Sequence, residues 1–135
     1  MVRDLIRSAK EKLAQAGYSE IDAEILFSHL LGINRMELHN PVALERALEN
    51  VGDIAEDYHQ ILNRRLAHEP LQYITGEAHF RDLTLEVGPG VLVPRPESEL
   101  MVSFLLALIE QKEGLISVID LGAGSGALSI ALSTE

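Results

Sequence analysis

Apolar residues recur at intervals of three and four through the first half of the chain, then switch to alternate positions just past its middle. Leu5, Ile6, Ala9, Leu13 and Ala16 form a helical stripe that Gly17 ends. A second helix is predicted on Ile21, Ile25, Leu26 and Leu30, with Ser19 as its cap, Asp22 completing a short-armed capping box, and Gly32 as its stop. A short helix over Arg35 to His39 halts before Pro41, and another spans Val42 to Leu48. Asp53 caps a longer one carrying Ile54, Tyr58, Ile61, Leu62, Arg65 and Leu66, until Glu69-Pro70 breaks it. Residues 3 to about 67 therefore read as a small helical bundle.

Beyond Pro70, Leu83, Leu85 and Val87 point one way and Thr84 and Glu86 the other, the pattern of a half-buried strand. His79-Phe80 supplies a hairpin partner and Arg81-Asp82 the turn. Gly88-Pro89-Gly90 is a further turn and Val91 to Val93 a short extended piece. Pro94-Arg95-Pro96 precedes a helix that starts on Glu97, Ser98 and Glu99, anionic residues at its positive end, and runs on through Leu100, Met101, Phe104, Leu105, Leu108 and Ile109 to Gly114. The domain boundary falls near residues 68 to 76.

The segment Val118 to Leu132 carries the chemistry. Val118, Ile119 and Leu121 suit a strand buried on both faces, Gly122, Gly124 and Gly126 allow positive φ and close approach of a ligand, and Ala127 to Leu132 opens a helix whose free N–H groups face that ligand. Gly122, Gly124 and Ala127 also satisfy the dinucleotide pattern, so spacing alone leaves two cofactor classes open. Asp120 and Gly126 tip the balance, because nicotinamide proteins more often place a small or apolar residue where Asp120 stands.

The 135 residues suit one domain, or a small domain plus a piece of another. A net charge of −10 spread evenly along the chain argues against a nucleic-acid surface. There is no cysteine, so neither a disulfide framework nor a thiolate metal site is available. No signal-peptide stretch and no apolar run of membrane-spanning length is present; the expectation is a cytoplasmic protein that binds no membrane. The five histidines, at 29, 39, 59, 68 and 79, fit no metal pattern and read as surface residues. Arg64-Arg65 is expected to meet the C-terminal end of its own helix in preference to an acidic partner.

Three motifs in order, Gly76-Glu77 with Phe80, then Gly90-Val-Leu-Val-Pro-Arg-Pro-Glu97 with Glu99, then Asp120 to Gly126, resemble the protein-(glutamine-N5) methyltransferases that modify peptide chain release factors, the HemK/PrmC family. The likeness extends over nearly the whole chain, including Glu69 to Gly76. It implies an α+β arrangement: a helical substrate-recognition domain over 1–68, a linker with a β-hairpin over 69–93, and over 94–135 the first strand and helix of a Rossmann-like domain that binds S-adenosylmethionine. By position, Gly122, Ala123, Gly124, Ser125 and Gly126 would form the cofactor loop, Asp120 would stabilise its turn, and Leu92, Pro94 and Arg95 would lie close to the pocket. The implied partner is a release factor, whose glutamine side-chain amide nitrogen receives the methyl group. Ser98 stands where the family usually has threonine.

One departure is large. The family's catalytic N-P-P-Y motif is absent from the 135 residues, and an acidic residue for the cofactor ribose, about 20 positions past the glycine loop, would fall beyond Glu135. The chain is expected to be an N-terminal portion of such an enzyme and silent by itself, because positioning and desolvation of the amide carry much of the transfer. A lone strand at 118–121 cannot satisfy its own backbone, so pairing is expected there, with the hairpin region, another copy in a non-native oligomer, or further sequence. Two other readings remain: a non-catalytic helical module that binds release factor, and an amino-methyltransferase acting on nucleic acid, against which the acidity weighs.

Overall fold

The computed structural model describes residues 2–49 and 51–135. The chain divides into two compact units, Met1–Thr75 and Gly76–Glu135.

The first unit is helical: α1 (Val2–Gln15), α2 (Ile21–Leu31), a 3-10 turn (Arg35–His39), α3 (Pro41–Leu48), α4 (Ile54–Leu66) and α5 (Leu71–Thr75). Leu13, Leu26, Phe27, Tyr58 and Leu62 are fully or almost fully buried at its centre. Phe27 and Tyr58 meet edge to face with ring centroids 4.9 Å apart, the geometry favoured by aromatic quadrupoles. The Tyr58 hydroxyl donates to the Ala23 carbonyl at 2.9 Å, tying α4 to α2 in the dry interior, and burial pushes the phenol's pKa well above its ordinary value.

Polar side chains set the ends of these helices. Gly32 adopts φ 62°, which lets the Ile33 N–H return to the Ser28 carbonyl at 3.1 Å. Asn34 and Glu37 form a reciprocal capping box on the 3-10 turn, and the Asn40 side chain accepts from Val42 and Ala43 just ahead of Pro41, the first residue of α3. Asp53 caps α4 as its position predicts, accepting from the Glu56 N–H. At α2 the outcome differs. Ser19 accepts the Ile21 N–H at 3.3 Å, but Asp22 makes no capping box; it is buried and receives the Arg65 Nε at 2.8 Å, a charged partner from α4 that outcompetes a backbone amide.

The second unit opens with the hairpin β1 (Glu77–Phe80) and β2 (Leu83–Glu86), antiparallel, with Glu77 opposite Glu86 and Phe80 opposite Leu83. Arg81 takes φ 52° in the two-residue turn, the left-handed conformation such hairpins demand. Helices α6 (Glu97–Ile109) and α7 (Ala127–Thr134) follow, and Phe80, Leu85, Val102, Ala127 and Ala131 form a small core. Arg81 fastens the turn to both helices. Its N–H donates to the Glu99 carboxylate, and its guanidinium reaches Ser103 Oγ at 2.8 Å and the Glu135 carboxylate at 2.6 Å.

Three sequence expectations need correction. α5 packs into the first unit, which therefore runs to Thr75 and takes in the start of the segment expected as linker. α6 ends at Ile109, short of Gly114. Most importantly, 118–121 forms no strand: Ile119 and Leu121 are 83% and 90% exposed, and the two described strands pair with each other. A strand exists only through its neighbours' backbone groups, and none reaches this segment among the described residues.

The glycine loop as candidate functional site

The loop between Asp120 and α7 is shaped by its glycines. Gly122, Gly124 and Gly126 have φ of 78°, 57° and 76°, a region closed to most side chains. A Cβ placed on Gly122 would enter open space, and one on Gly126 would stand 3.5 Å from Ile130 Cδ1. The protein's own packing thus does not demand glycine here; the backbone conformation does, and it leaves the surface of the loop bare.

Among the described residues one hydrogen bond is internal to the turn, from the Gly126 N–H to the Ala123 carbonyl at 2.8 Å. Among the described residues the N–H groups of Gly122, Ala123, Gly124 and Ser125, and those of Ala127, Leu128 and Ser129 in the first turn of α7, donate to no protein acceptor. A run of free donors at a helix start suits the polar end of a nucleotide-type cofactor. Asp120 joins this group through Ser129, whose hydroxyl donates to Asp120 Oδ2 at 2.7 Å. Asp120 and the glycine loop therefore come together as one constellation. Leu92 and Arg95 are exposed and Pro94 is partly buried, and no hydrogen bond or ion pair links the three to the loop.

The first unit holds two clusters of charged groups. The Glu24 carboxylate receives Lys10 Nζ at 2.6 Å, with His39 Nε2 at 3.6 Å and Arg35 Nε at 3.9 Å. The Lys10 hydrogen bond is the main reason its carboxyl titrates below the usual range. Beside it lies a groove of about 360 Å³, floored by Val2, Ile6, Leu38 and Leu44 and edged by Arg3, Arg7 and Lys10. The second cluster centres on Arg65. Its guanidinium carbon sits 4.0 Å from the Tyr18 ring centroid, while its nitrogens reach Asp22 and, at 3.0 Å, the Glu69 carbonyl. The Tyr18 hydroxyl is hydrogen-bonded to His68 Nδ1, and Arg64 makes a bidentate pair with Glu69. Arg64 and Arg65 thus bind carboxylates and an aromatic face, and Arg65 also meets the chain just past its own helix end through the Glu69 carbonyl.

Sequence reasoning missed Ser129 and the partners of Arg65 and Arg81. For Ser129 a signal existed, a hydroxyl in the first turn of the helix after the glycines; Arg65 and Arg81 find partners 43 and 54 residues away, which no local pattern announces. Among the described residues no group of three or more histidine, aspartate or glutamate side chains is placed to hold a metal. Among the described residues no helix is long and apolar enough to cross a membrane.

Comparison with known proteins brings the two units under one heading. The family described as the PrmC N-terminal domain matches residues 4–76, more than half of the chain. The chain belongs to the PrmC family. Its PrmC N-terminal domain coincides with the compact helical unit, which closes at Thr75. The likeness continues past that domain. The release factor glutamine methyltransferase of Bifidobacterium longum is 39% identical over 139 residues, covering 100% of this chain and 47% of its own length. That of Streptomyces coelicolor is 41% identical over 134 residues, covering 96% and 44%, and that of Mycolicibacterium smegmatis 37% over 139, covering 98% and 45%. The chain spans about half the length of these curated relatives.

Proposed function

We propose that this chain is the N-terminal portion of a release factor glutamine methyltransferase, an enzyme that transfers methyl from S-adenosylmethionine to the side-chain amide nitrogen of a glutamine in a peptide chain release factor. The observation that carries the reading is the loop at 122–126, with its free N–H groups and the Asp120 carboxylate, in a chain of this family. These residues fit the cofactor. The loop donors and Asp120 would hold its polar end, and the bare space over Gly122 leaves room for it. When bound, S-adenosylmethionine supplies an activated methyl group; what the chain's own residues do is grip and orient.

The helical unit is the release-factor grip in this reading, and residues 94–135 begin a Rossmann-like domain. Leu92, Pro94 and Arg95 lie on the pocket's margin. The protein is cytoplasmic. The chain contains no N-P-P-Y, so incubating it with release factor and methyl-labelled S-adenosylmethionine is expected to leave the glutamine unlabelled, while a form as long as the relatives labels it. Label transferred by the 135-residue chain alone contradicts the assignment of catalysis to N-P-P-Y. Calorimetry is expected to show the 135-residue chain binding the cofactor more weakly than micromolar, because the acidic residue for the ribose falls beyond Glu135; saturable micromolar binding overturns that expectation.

The exposed run at 118–121 carries a second part of the proposal, that copies of this chain associate through it. Sedimentation should show association that rises with concentration and falls in Ile119→Lys. A monomer at every concentration refutes it.

A further inference from the structure

We propose that Ser129 is a positioning residue of the glycine loop: its hydroxyl clamps the Asp120 carboxylate to the first turn of α7 and thereby holds the conformation in which the loop presents its free N–H groups. The inference rests on the reading of that loop as the S-adenosylmethionine turn.

Three observations carry it. The Ser129 Oγ donates to Asp120 Oδ2 at 2.7 Å across nine residues of chain, so one bond joins the backbone entering the loop to the helix leaving it. Among the described residues the turn holds one internal hydrogen bond, from Gly126 to Ala123, and the residue that would ordinarily cap α7 is Gly126, which has no side chain. Three glycines in seven positions, 120 to 126, make the segment conformationally free, so a tie between its ends removes much of what the loop would otherwise explore.

The bond also disposes of the carboxylate. Asp120 meets the first turn of α7 through Ser129, and with Oδ2 taken by that hydroxyl its other oxygen accepts no hydrogen bond among the described residues. Oδ1 is thereby kept for a donor on the ligand. The chemical class that suits it is a cationic or N–H-bearing group beside the anion that the loop's own N–H groups attract. Ser129 acts only through Asp120 and the loop.

Amide hydrogen exchange on the 135-residue chain tests the clamp, comparing Ser129→Thr with Ser129→Val. The two replacements share shape and β-branching and differ in the hydroxyl alone, so a helix-propensity effect is common to both. The Gly126 and Ile130 amides, which bond to Ala123 and Gly126, are expected to exchange about three- to tenfold faster in the valine variant. In an Asp120→Ala background the difference should vanish. Equal rates for threonine and valine with Asp120 present overturn the proposal, as does a difference that persists without Asp120. A second arm adds millimolar S-adenosylmethionine and follows the 122–126 amide resonances, which should shift in the wild type and Ser129→Thr and shift several-fold less in Ser129→Val. A loop unmoved by the ligand in all three overturns the cofactor reading, and with it the positioning role, even where the exchange rates show the tie.

Discussion

Single residues decide where this chain spends its charges. Arg65 is the clearest case, since one guanidinium packs on Tyr18, neutralises the buried Asp22 and reaches past the end of α4. Arg65→Ala leaves Asp22 buried without a partner and is expected to destabilise the helical unit by about 3 kcal/mol in chemical denaturation. Asp22→Leu with Arg65→Met should be milder than Arg65→Ala, because no orphan charge remains. Glu24 gives a pH dependence. Its carboxyl pKa is lowered in the fold, first by the Lys10 hydrogen bond, so its stabilising contribution is present above the ordinary value of 4.5 and drains away as the pH falls through the lowered one. Unfolding titrations between pH 6 and about 3 should therefore show a fall that Lys10→Met flattens. The sequence made Asp22 a capping residue and turned Arg65 toward the end of its own helix. The error has a simple physical origin: a local amide and a distant guanidinium compete for one carboxylate, and only the distant partner is invisible in the linear chain.

At the scale of elements, what could be read from the chain was what is decided locally. The helices α1 to α4 and the hairpin follow from apolar period and from caps, and Asn40 shows how much one side chain contributes: Asn40→Ala, which strips α3 of its bonds to Val42 and Ala43, should cost about 1 kcal/mol in thermal denaturation of the helical unit. α5 escaped notice because Pro70 looks like a terminus; in fact its carbonyl accepts from Tyr73 and Ile74, and it opens a helix of five residues too short to display a period. The strand expected at 118–121 failed for the opposite reason. Its composition is that of a sheet interior, yet sheets are made between segments, and a suitable sequence without a neighbour stays irregular. The glycine loop was legible because positive φ is a property of single residues, whereas its fastening to α7 through Ser129 depends on the loop already being folded.

For the molecule as a whole, the two units are unequal. The helical one buries a broad cluster around Phe27 and Tyr58, while the other rests on a smaller cluster around Phe80 and Val102 and a hairpin held by Arg81. Heating should thus give two transitions, with Gly76–Glu135 melting first; a single transition with equal calorimetric and van't Hoff enthalpies speaks against it. Arg81→Ala should lower the first transition and leave the second in place. The bare side chains of the weaker unit have one more consequence. Leu115, Ile119 and Leu121 stand almost wholly in water, with Phe104 on α6 63% exposed. An extended apolar run of this kind is what chaperones seize and processive proteases use as a handle. The lifetime of this polypeptide inside a cell is accordingly set less by how firmly its helices hold than by how soon something covers those few residues.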